Sequence, residues 1–142
     1  MSAEDNKVTA RRWYEEVFNT GNVELINELF TPNFVDHDPV NPQPGLEGVK
    51  HVISMYRSAF PDLHITVEDY IAEGDKVVTR FTVQGTNKGS FMGMPPTGKQ
   101  ATVSGIDILG FEQGKIVEHW GNRDELGMLQ QLGVIPAPRQ AS

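Results

Sequence analysis

The 142-residue chain has the length of one folded domain, which most often runs to about 100–150 residues. The absence of cysteine excludes disulfides, a thiolate nucleophile and a thiolate metal site. The formal net charge of −7 argues against nucleic acid and anionic membranes, and no apolar run approaches a bilayer span or a signal-peptide core. We therefore expect a cytoplasmic protein of one domain, residues 1–142, whose Pro-rich end, from about residue 134, is a flexible tail.

The N-terminal part of the chain has the spacing of helices. Ser2 and Asp5 stand in a capping-box arrangement at the start of the first helix, and Gly21 ends that helix. Between them, apolar residues recur at helical spacing: Ala10, Trp13, Tyr14, Val17 and Phe18. A second, shorter helix, capped by Asn22, is predicted to end at Thr31–Pro32.

Prolines and glycines interrupt the helical pattern over residues 33–48, which predicts an extended surface loop. A third helix is predicted over Gly48 to Ala59, because its apolar residues again fall on one side. Beyond it the apolar period changes to two, which predicts antiparallel hairpins over residues 64–86 and 101–122. A long Gly- and Pro-rich connection, residues 87–100, joins the two hairpins.

A last short helix, roughly Glu125 to Leu132, completes the predicted elements. Helices first and hairpins afterwards indicate an α+β fold, with the helices packed on one face of a strongly curved antiparallel sheet. Such a sheet leaves an internal pocket between the helices and its concave face, where a small ligand would bind.

The turn of the second hairpin determines which polar residues face each other. A three-residue loop, Glu112–Gln113–Gly114, would have glycine at its left-handed third position. This loop places Asp107 opposite His119, with Cβ atoms about 5 Å apart. A two-residue loop would instead place Asp107 opposite Trp120. We favour the three-residue loop.

An Asp107–His119 pair on the pocket side would be suited to acid–base catalysis. The carboxylate would fix the imidazole tautomer and raise its basicity, which makes His119 a general base near neutral pH. The alternative is a purely structural hydrogen bond, or a pair on the other face of the sheet at a dimer contact.

Five further residues are candidates, each with a structural alternative. Asp124 is either the N-cap of the last helix or an acid at the pocket rim. Trp120 and Asn122 are candidates for pocket lining, although a strand tryptophan more often lies in a core or interface. His37 is either an exposed loop residue or part of a lid. Tyr14 is either core packing or a hydroxyl that polarises a carbonyl.

Other familiar functional motifs are incomplete or absent in this sequence. Gly93 to Lys99 has the spacing of a phosphate-binding loop, but Gln100 replaces the Ser or Thr, and Pro95 and Pro96 remove two N–H donors. The four histidines lack metal-ligand spacing, and no G-x-S-x-G nucleophile elbow occurs. We expect neither a metal nor a cofactor.

Three ordered stretches carry a family resemblance: "FPDLHITVED", "GTNKGSFMGMPPTGK" and "GKIVEHWGNRDELGMLQQLG". Together they resemble the SnoaL-like polyketide cyclases, also called ester cyclases, over nearly the whole chain, from "VFNTGNVELINELFTPNFVDH" to "QLG". The resemblance implies the nuclear-transport-factor-2-like (NTF2-like) fold, a conical α+β barrel, and members are often homodimers.

The resemblance also implies a reaction. The founding cyclases close a ring by intramolecular aldol condensation without metal or cofactor, using an aspartate assisted by a histidine on the neighbouring strand. In this chain the family's histidine falls at Asp107 and its aspartate at Gly121, so both positions depart from the pattern. Asp124 matches a family aspartate before the last helix, and His119 matches a histidine of some members. One hypothesis is that acid and base have exchanged strands.

We therefore carry three functional hypotheses. The leading one is a cyclase-type enzyme in which His119 or Asp107 removes a proton α to a carbonyl of a small apolar compound, with Asn122 or Tyr14 stabilising the enolate. The second is a non-catalytic protein that binds a hydrophobic metabolite. The third is a hydratase, dehydratase or hydroxylase on the same fold.

Overall fold

The computed structural model describes residues 2–38 and 43–136. The central part of the predicted loop, residues 39–42, and the end of the predicted tail, residues 137–142, lie outside the described residues. Within the described ranges the helices are α1 (Ala3–Arg12), α2 (Ile26–Leu29), α3 (Gly45–Ala59) and α4 (Glu125–Gln131). The strands are β1 (Phe30–Asp36), β2 (His64–Glu73), β3 (Lys76–Thr86), β4 (Gln100–Glu112) and β5 (Lys115–Arg123).

The predicted first helix is confirmed, with an unexpected end. The Asp5 amide donates to Ser2 Oγ over 3.1 Å, and the Ser2 amide donates to Asp5 Oδ2 over 3.3 Å, which completes the capping box. After Arg12 the helix widens into a π-helical turn, Trp13–Phe18, and the chain turns away at Gly21, whose φ is +80°. Wider turns of this kind are frequent at functional sites.

The remaining predicted helices are present with shifted ends. A single 3₁₀ turn, Val23–Leu25, leads into the short α2, which ends before Phe30. The third predicted helix begins three residues earlier than expected, at Gly45, and ends at Ala59 as predicted. The carboxylate of Asp124 accepts a 2.9 Å hydrogen bond from the Gly127 amide, so the structural reading of Asp124 as the N-cap of α4 is confirmed.

The five strands of the described residues form one sheet in the order β1-β5-β4-β3-β2. The two predicted hairpins, β2–β3 and β4–β5, are confirmed, and they pair with each other through β3 and β4. The first strand was not predicted. It runs parallel to β5, so the sheet is mixed.

The prediction that the second helix continues to Thr31 and that a loop follows is wrong over β1. Phe30 and Phe34 are buried in the core, as expected of a strand whose alternate side chains point inward. Pro32 obscured this pattern, because proline cannot complete a hydrogen-bonded ladder. It is tolerated because β1 lies at the edge of the sheet.

The predicted register of the second hairpin is also wrong. The turn has two residues, Gln113 and Gly114, whose φ angles of 51° and 78° indicate a type I′ turn. A β-bulge then adds one residue, Val117, to β5. Asp107 consequently pairs with Gly121, which neither loop length predicted.

The helices cover the concave face of the sheet, and a cavity remains between the two layers. Counting the space at its mouth, its volume is about 1010 Å³. Side chains from the π-helical turn, β1, α3 and strands β2 to β5 line it. The predicted α+β architecture with an internal pocket is therefore confirmed. None of the helices in the described ranges is both long enough and apolar enough to cross a membrane.

Candidate active site

Asp107 and His119 meet in the cavity although their strands are not in the predicted register. They are diagonal neighbours on the concave face, since Asp107 pairs with Gly121 and His119 lies two residues earlier on β5. His119 Nε2 lies 2.9 Å from Asp107 Oδ1. The Asp107 side chain is 9% exposed and that of His119 16%, so the pair is shielded from bulk solvent.

Gly121 provides the space for this contact. A Cβ atom at position 121 would lie 2.6 Å from Asp107 Oδ1 and 2.9 Å from His119 Nε2, closer than real Cβ atoms approach other atoms. The position where the resembled cyclases carry an acid therefore has to lack a side chain here.

Asp36, which sequence reasoning missed, holds the other side of the imidazole. It lies beside His119 in the β1–β5 pairing, and its Oδ1 is 2.8 Å from His119 Nδ1. Both ring nitrogens therefore face carboxylate oxygens, which only the doubly protonated imidazolium can satisfy. Burial lowers the pKa of His119, but the hydrogen bonds and charges of Asp107 and Asp36 outweigh it and raise the pKa to about 10.

The hydroxyl of Tyr14 holds the second oxygen of Asp107. It donates to Asp107 Oδ2 over 2.8 Å and lies 2.6 Å from Thr79 Oγ1, so Thr79 donates to Tyr14 in turn. Tyr14 is 1% exposed. Burial, followed by the charge of Asp107, raises the pKa of Tyr14 well above its usual value, so its proton stays in place.

A second ion pair lies in the same cavity. Arg123 projects from the concave face of β5, two residues beyond Gly121, and its Nη2 donates to Asp38 Oδ2. Sequence reasoning missed Arg123, although the strand alternation from His119 would have placed it on the cavity side. Asp36 and Asp38 carried no comparable signal, because β1 was not predicted.

The charged groups lie at one end of a largely apolar cavity. With His119 protonated, the described lining holds two cations, His119 and Arg123, and three carboxylates, so its formal charge is −1. The carboxylates are those of Asp36, Asp38 and Asp107. The rest of the lining is rich in aromatic side chains: Trp13, Phe18, Phe30, Phe34, Tyr56, Phe60 and Phe81. This combination is typical of a site for an apolar compound that carries a few polar atoms.

Four of the predicted site residues lie elsewhere. Asp124 is exposed and caps α4. Trp120 and Asn122 alternate with His119 and Arg123, so they face the outer side of the sheet. His37 stacks on Trp120 with ring centroids 4.8 Å apart, and its Nε2 is 3.0 Å from Glu118. None of the four belongs to the described lining of the cavity.

The fold and the site define a class of protein. Helices that close a conical sheet over an apolar cavity, with buried acid–base side chains on its floor, form the NTF2-like α+β cone. The family model described as SnoaL-like polyketide cyclase matches residues 8–132, and the chain belongs to this family.

Named relatives and solved structures are similar to the chain over most of its length. The aklanonic acid methyl ester cyclase DauD of Streptomyces sp. (strain C5) is 27% identical over 124 residues, which cover 83% of this chain and 76% of DauD. IdmH of Streptomyces antibioticus, described as a candidate polyketide cyclase, is 36% identical with a TM-score of 0.79, over 90% of this chain and 98% of IdmH. AclR of Streptomyces galilaeus, described as a candidate hydroxylase, is 30% identical with a TM-score of 0.85, over 98% of this chain and 87% of AclR.

Proposed function

We propose that this protein is an enzyme that performs cofactor-free acid/base chemistry, an aldol-type ring closure or a related carbonyl reaction, on a small, largely apolar carbonyl compound. The observation that carries this proposal is the buried Asp107 carboxylate, held by His119 and Tyr14 at the polar end of an apolar cavity.

Asp107 is the base in this proposal. Both nitrogens of His119 are engaged as donors to carboxylates, which leaves the imidazolium no lone pair to accept a proton. Each carboxylate oxygen of Asp107 accepts one of the hydrogen bonds above and keeps further acceptor capacity. His119 and Tyr14 are then positioning residues that fix the carboxylate in its orientation.

The proposed reaction begins when Asp107 removes a proton from the carbon next to a carbonyl. The resulting enolate attacks a second carbonyl of the same molecule, and a carbon–carbon bond closes the ring. The proton held by Asp107 then passes to the new alkoxide oxygen. Asp107 ends as it began, and no redox partner is needed.

The charge of the cavity supports a neutral substrate. A lining with a formal charge of −1 disfavours an ionised carboxylate, which would enter beside three aspartates. A methyl ester masks that charge, as in the compounds for which the relative DauD is named. We therefore propose an ester or ketone in place of a free acid.

Two matched variants test this proposal with aklanonic acid methyl ester as the trial substrate. Asp107→Asn keeps the shape of the side chain but removes the base, so turnover is expected to fall at least about tenfold. Asp124→Asn keeps the helix cap, since Asn and Asp cap about equally well, and turnover is expected to be unchanged.

Unchanged turnover in Asp107→Asn would reject the role of this carboxylate. Tight binding with no conversion by the wild-type protein would instead favour a non-catalytic protein that binds a hydrophobic metabolite.

The similarity to AclR supports a second candidate, a hydroxylation in the same cavity. Such a reaction would consume dioxygen, whereas ring closure would not. Oxygen uptake measured during turnover separates the two.

A further inference from the structure

Arg123 is a cavity-lining cation that the proposed proton transfer leaves unused. Its Nη2 is paired with Asp38, but its Nε is buried and has no hydrogen-bond partner among the described residues. The carboxylate oxygen Glu125 Oε1 lies 3.6 Å from this Nε, beyond hydrogen-bonding distance. Buried donors are nearly always paired, so this N–H calls for an acceptor.

Tyr56 is a second donor on the lining of this cavity. It lies on the face of α3 that also carries Val52 and Ile53 into the cavity, and its ring packs against Phe91 with centroids 5.6 Å apart. Within the described part of the chain, its hydroxyl has no recorded hydrogen bond. Burial raises the pKa of Tyr56, so the hydroxyl keeps its proton at neutral pH.

Arg123 lies on β5 close enough to Asp107 for both side chains to contact one substrate. A strand rises about 3.3 Å per residue, so Arg123 lies roughly 7 Å beyond Gly121, the residue that pairs with Asp107. A comparable distance separates two protein groups that each contact, over about 3 Å, one end of a unit made of a carbonyl oxygen, its carbon and the α-carbon. One substrate can therefore reach both the carboxylate and the guanidinium.

We propose that Arg123 and Tyr56 bind an oxygen atom of the substrate, the carbonyl or ester oxygen next to the carbon that Asp107 deprotonates. Donors at this point stabilise the negative charge that develops on the oxygen as the enolate forms. The stabilisation of an enolate rests on the proposed function. The binding of a substrate oxygen by Arg123 and Tyr56 does not, because a ligand can be bound without turnover.

A structural role for Arg123 is the competing explanation. In that case its guanidinium only joins Asp38, which follows β1, to Glu125, which begins α4. Arg123→Lys keeps a cation for Asp38 but lacks the Nε donor, and Tyr56→Phe removes only a hydroxyl. Both variants therefore separate oxygen binding from the stability of the fold.

The test compares two probes with the same carbon skeleton, 1-tetralone, a ketone, and tetralin, its oxygen-free hydrocarbon. Dissociation constants are measured by quenching of tryptophan fluorescence, since Trp13 lines the cavity. The wild-type protein is expected to prefer the ketone about tenfold, as one charge-assisted hydrogen bond allows. Each of the two variants is expected to lose most of this preference while its affinity for tetralin stays the same.

Matched controls lie outside the cavity. Tyr70→Phe and Arg80→Lys change the same residue types at positions that are not part of its described lining, and both are expected to retain the ketone preference. Equal affinity of the wild-type protein for the two probes, or full preference in both cavity variants, would overturn the oxygen site and leave the proposed base in place. A wild-type protein that binds neither probe would overturn both proposals.

Discussion

His119 is hydrogen-bonded to two carboxylates from different strands, Asp36 on β1 and Asp107 on β4. Its pKa of about 10 follows from this arrangement, because charge and hydrogen bonding outweigh the cost of burying the cation. The sequence suggested a neutral histidine that acts as a base. The structure instead makes it a permanent cation at physiological pH, which neutralises one of two neighbouring acids.

The raised pKa predicts how stability depends on pH. Since folding raises the pKa of His119 from 6.5 to about 10, its contribution is complete below pH 6.5 and is lost as the pH rises through 10. The full loss from this group is on the order of 5 kcal/mol. Urea unfolding measured from pH 6 to pH 10.5 should show this fall in the free energy of unfolding.

His119→Gln provides the control for that experiment, because it removes the titrating group. Its unfolding free energy should be lower than that of the wild-type protein at pH 6 and should change much less across the range. A wild-type curve that is flat, or that rises with pH, would contradict the doubly bonded imidazolium.

Helices and strands were predictable from the sequence where a capping residue or a regular apolar period marks them. The capping box of α1, the N-cap of α4 and the period-two pattern of β2 to β5 all give the correct elements. The edge strand β1 was missed because Pro32 and the glycines and prolines beyond it resemble a loop. Whether such a segment joins a sheet depends on its partner, β5, and that contact is not local in sequence.

The β4–β5 register shows how two errors can still bring the correct residues together. Sequence reasoning could not locate the bulge at Val117, since a bulge depends on how the strand bends in the finished sheet. Asp107 and His119 nevertheless share the concave face, because both the predicted and the observed pairings leave them on the same side. Their contact is diagonal, and the residue directly opposite Asp107 is Gly121.

Gly121 supports a prediction about this strand pair. In Gly121→Ala, the added methyl group would clash with Asp107 and His119 at 2.6 and 2.9 Å, so the bond between their side chains should break. We expect the pKa of His119 to fall, turnover to decrease about as much as in Asp107→Asn, and stability to drop by about 1–3 kcal/mol. NMR titration of the His119 ring protons measures the first effect directly.

Gly110→Ala is the matched control, because Gly110 is also a strand glycine of β4–β5. Its added methyl group would lie 3.3 Å from Glu118 Cβ, a tight contact on the outer face of the sheet and away from the acid–base pair. It should leave the pKa of His119 unchanged. An unchanged pKa in Gly121→Ala as well would show that the empty position is not needed for the pair.

The whole molecule presents apolar side chains on the outer face of the sheet. Ile71 is 61% exposed and Ile106 is 52% exposed, and Ile71 pairs with Val78 on the same face. Trp120, for which the sequence left the pocket, a core and an interface open, also lies on this face. Exposed apolar patches of this kind often mark interfaces, so a homodimer formed through this face remains our prediction.

Light scattering coupled to gel filtration tests the dimer. The wild-type protein should elute with twice the mass of the 15.8 kDa chain, and Ile106→Glu should shift it to the monomer by burying a charge in the interface.

Arg80→Glu is an unsuitable control for this experiment, because Arg80 pairs with Ile106 across the strands. Val8→Glu, an exposed apolar position on α1, is better and should leave the dimer intact. A monomeric wild-type protein would reject this prediction.

The protein as a whole encloses a largely apolar cavity in which Tyr14 and His119 orient the Asp107 carboxylate for proton transfer. Deuterium exchange at the α-carbon of 1-tetralone in heavy water, followed by NMR, tests this claim without knowledge of the natural substrate. The wild-type protein should accelerate exchange above the buffer rate, and Asp107→Asn should reduce that acceleration at least about tenfold. Equal acceleration by the two proteins, or none by the wild type, would contradict a catalytic base at Asp107.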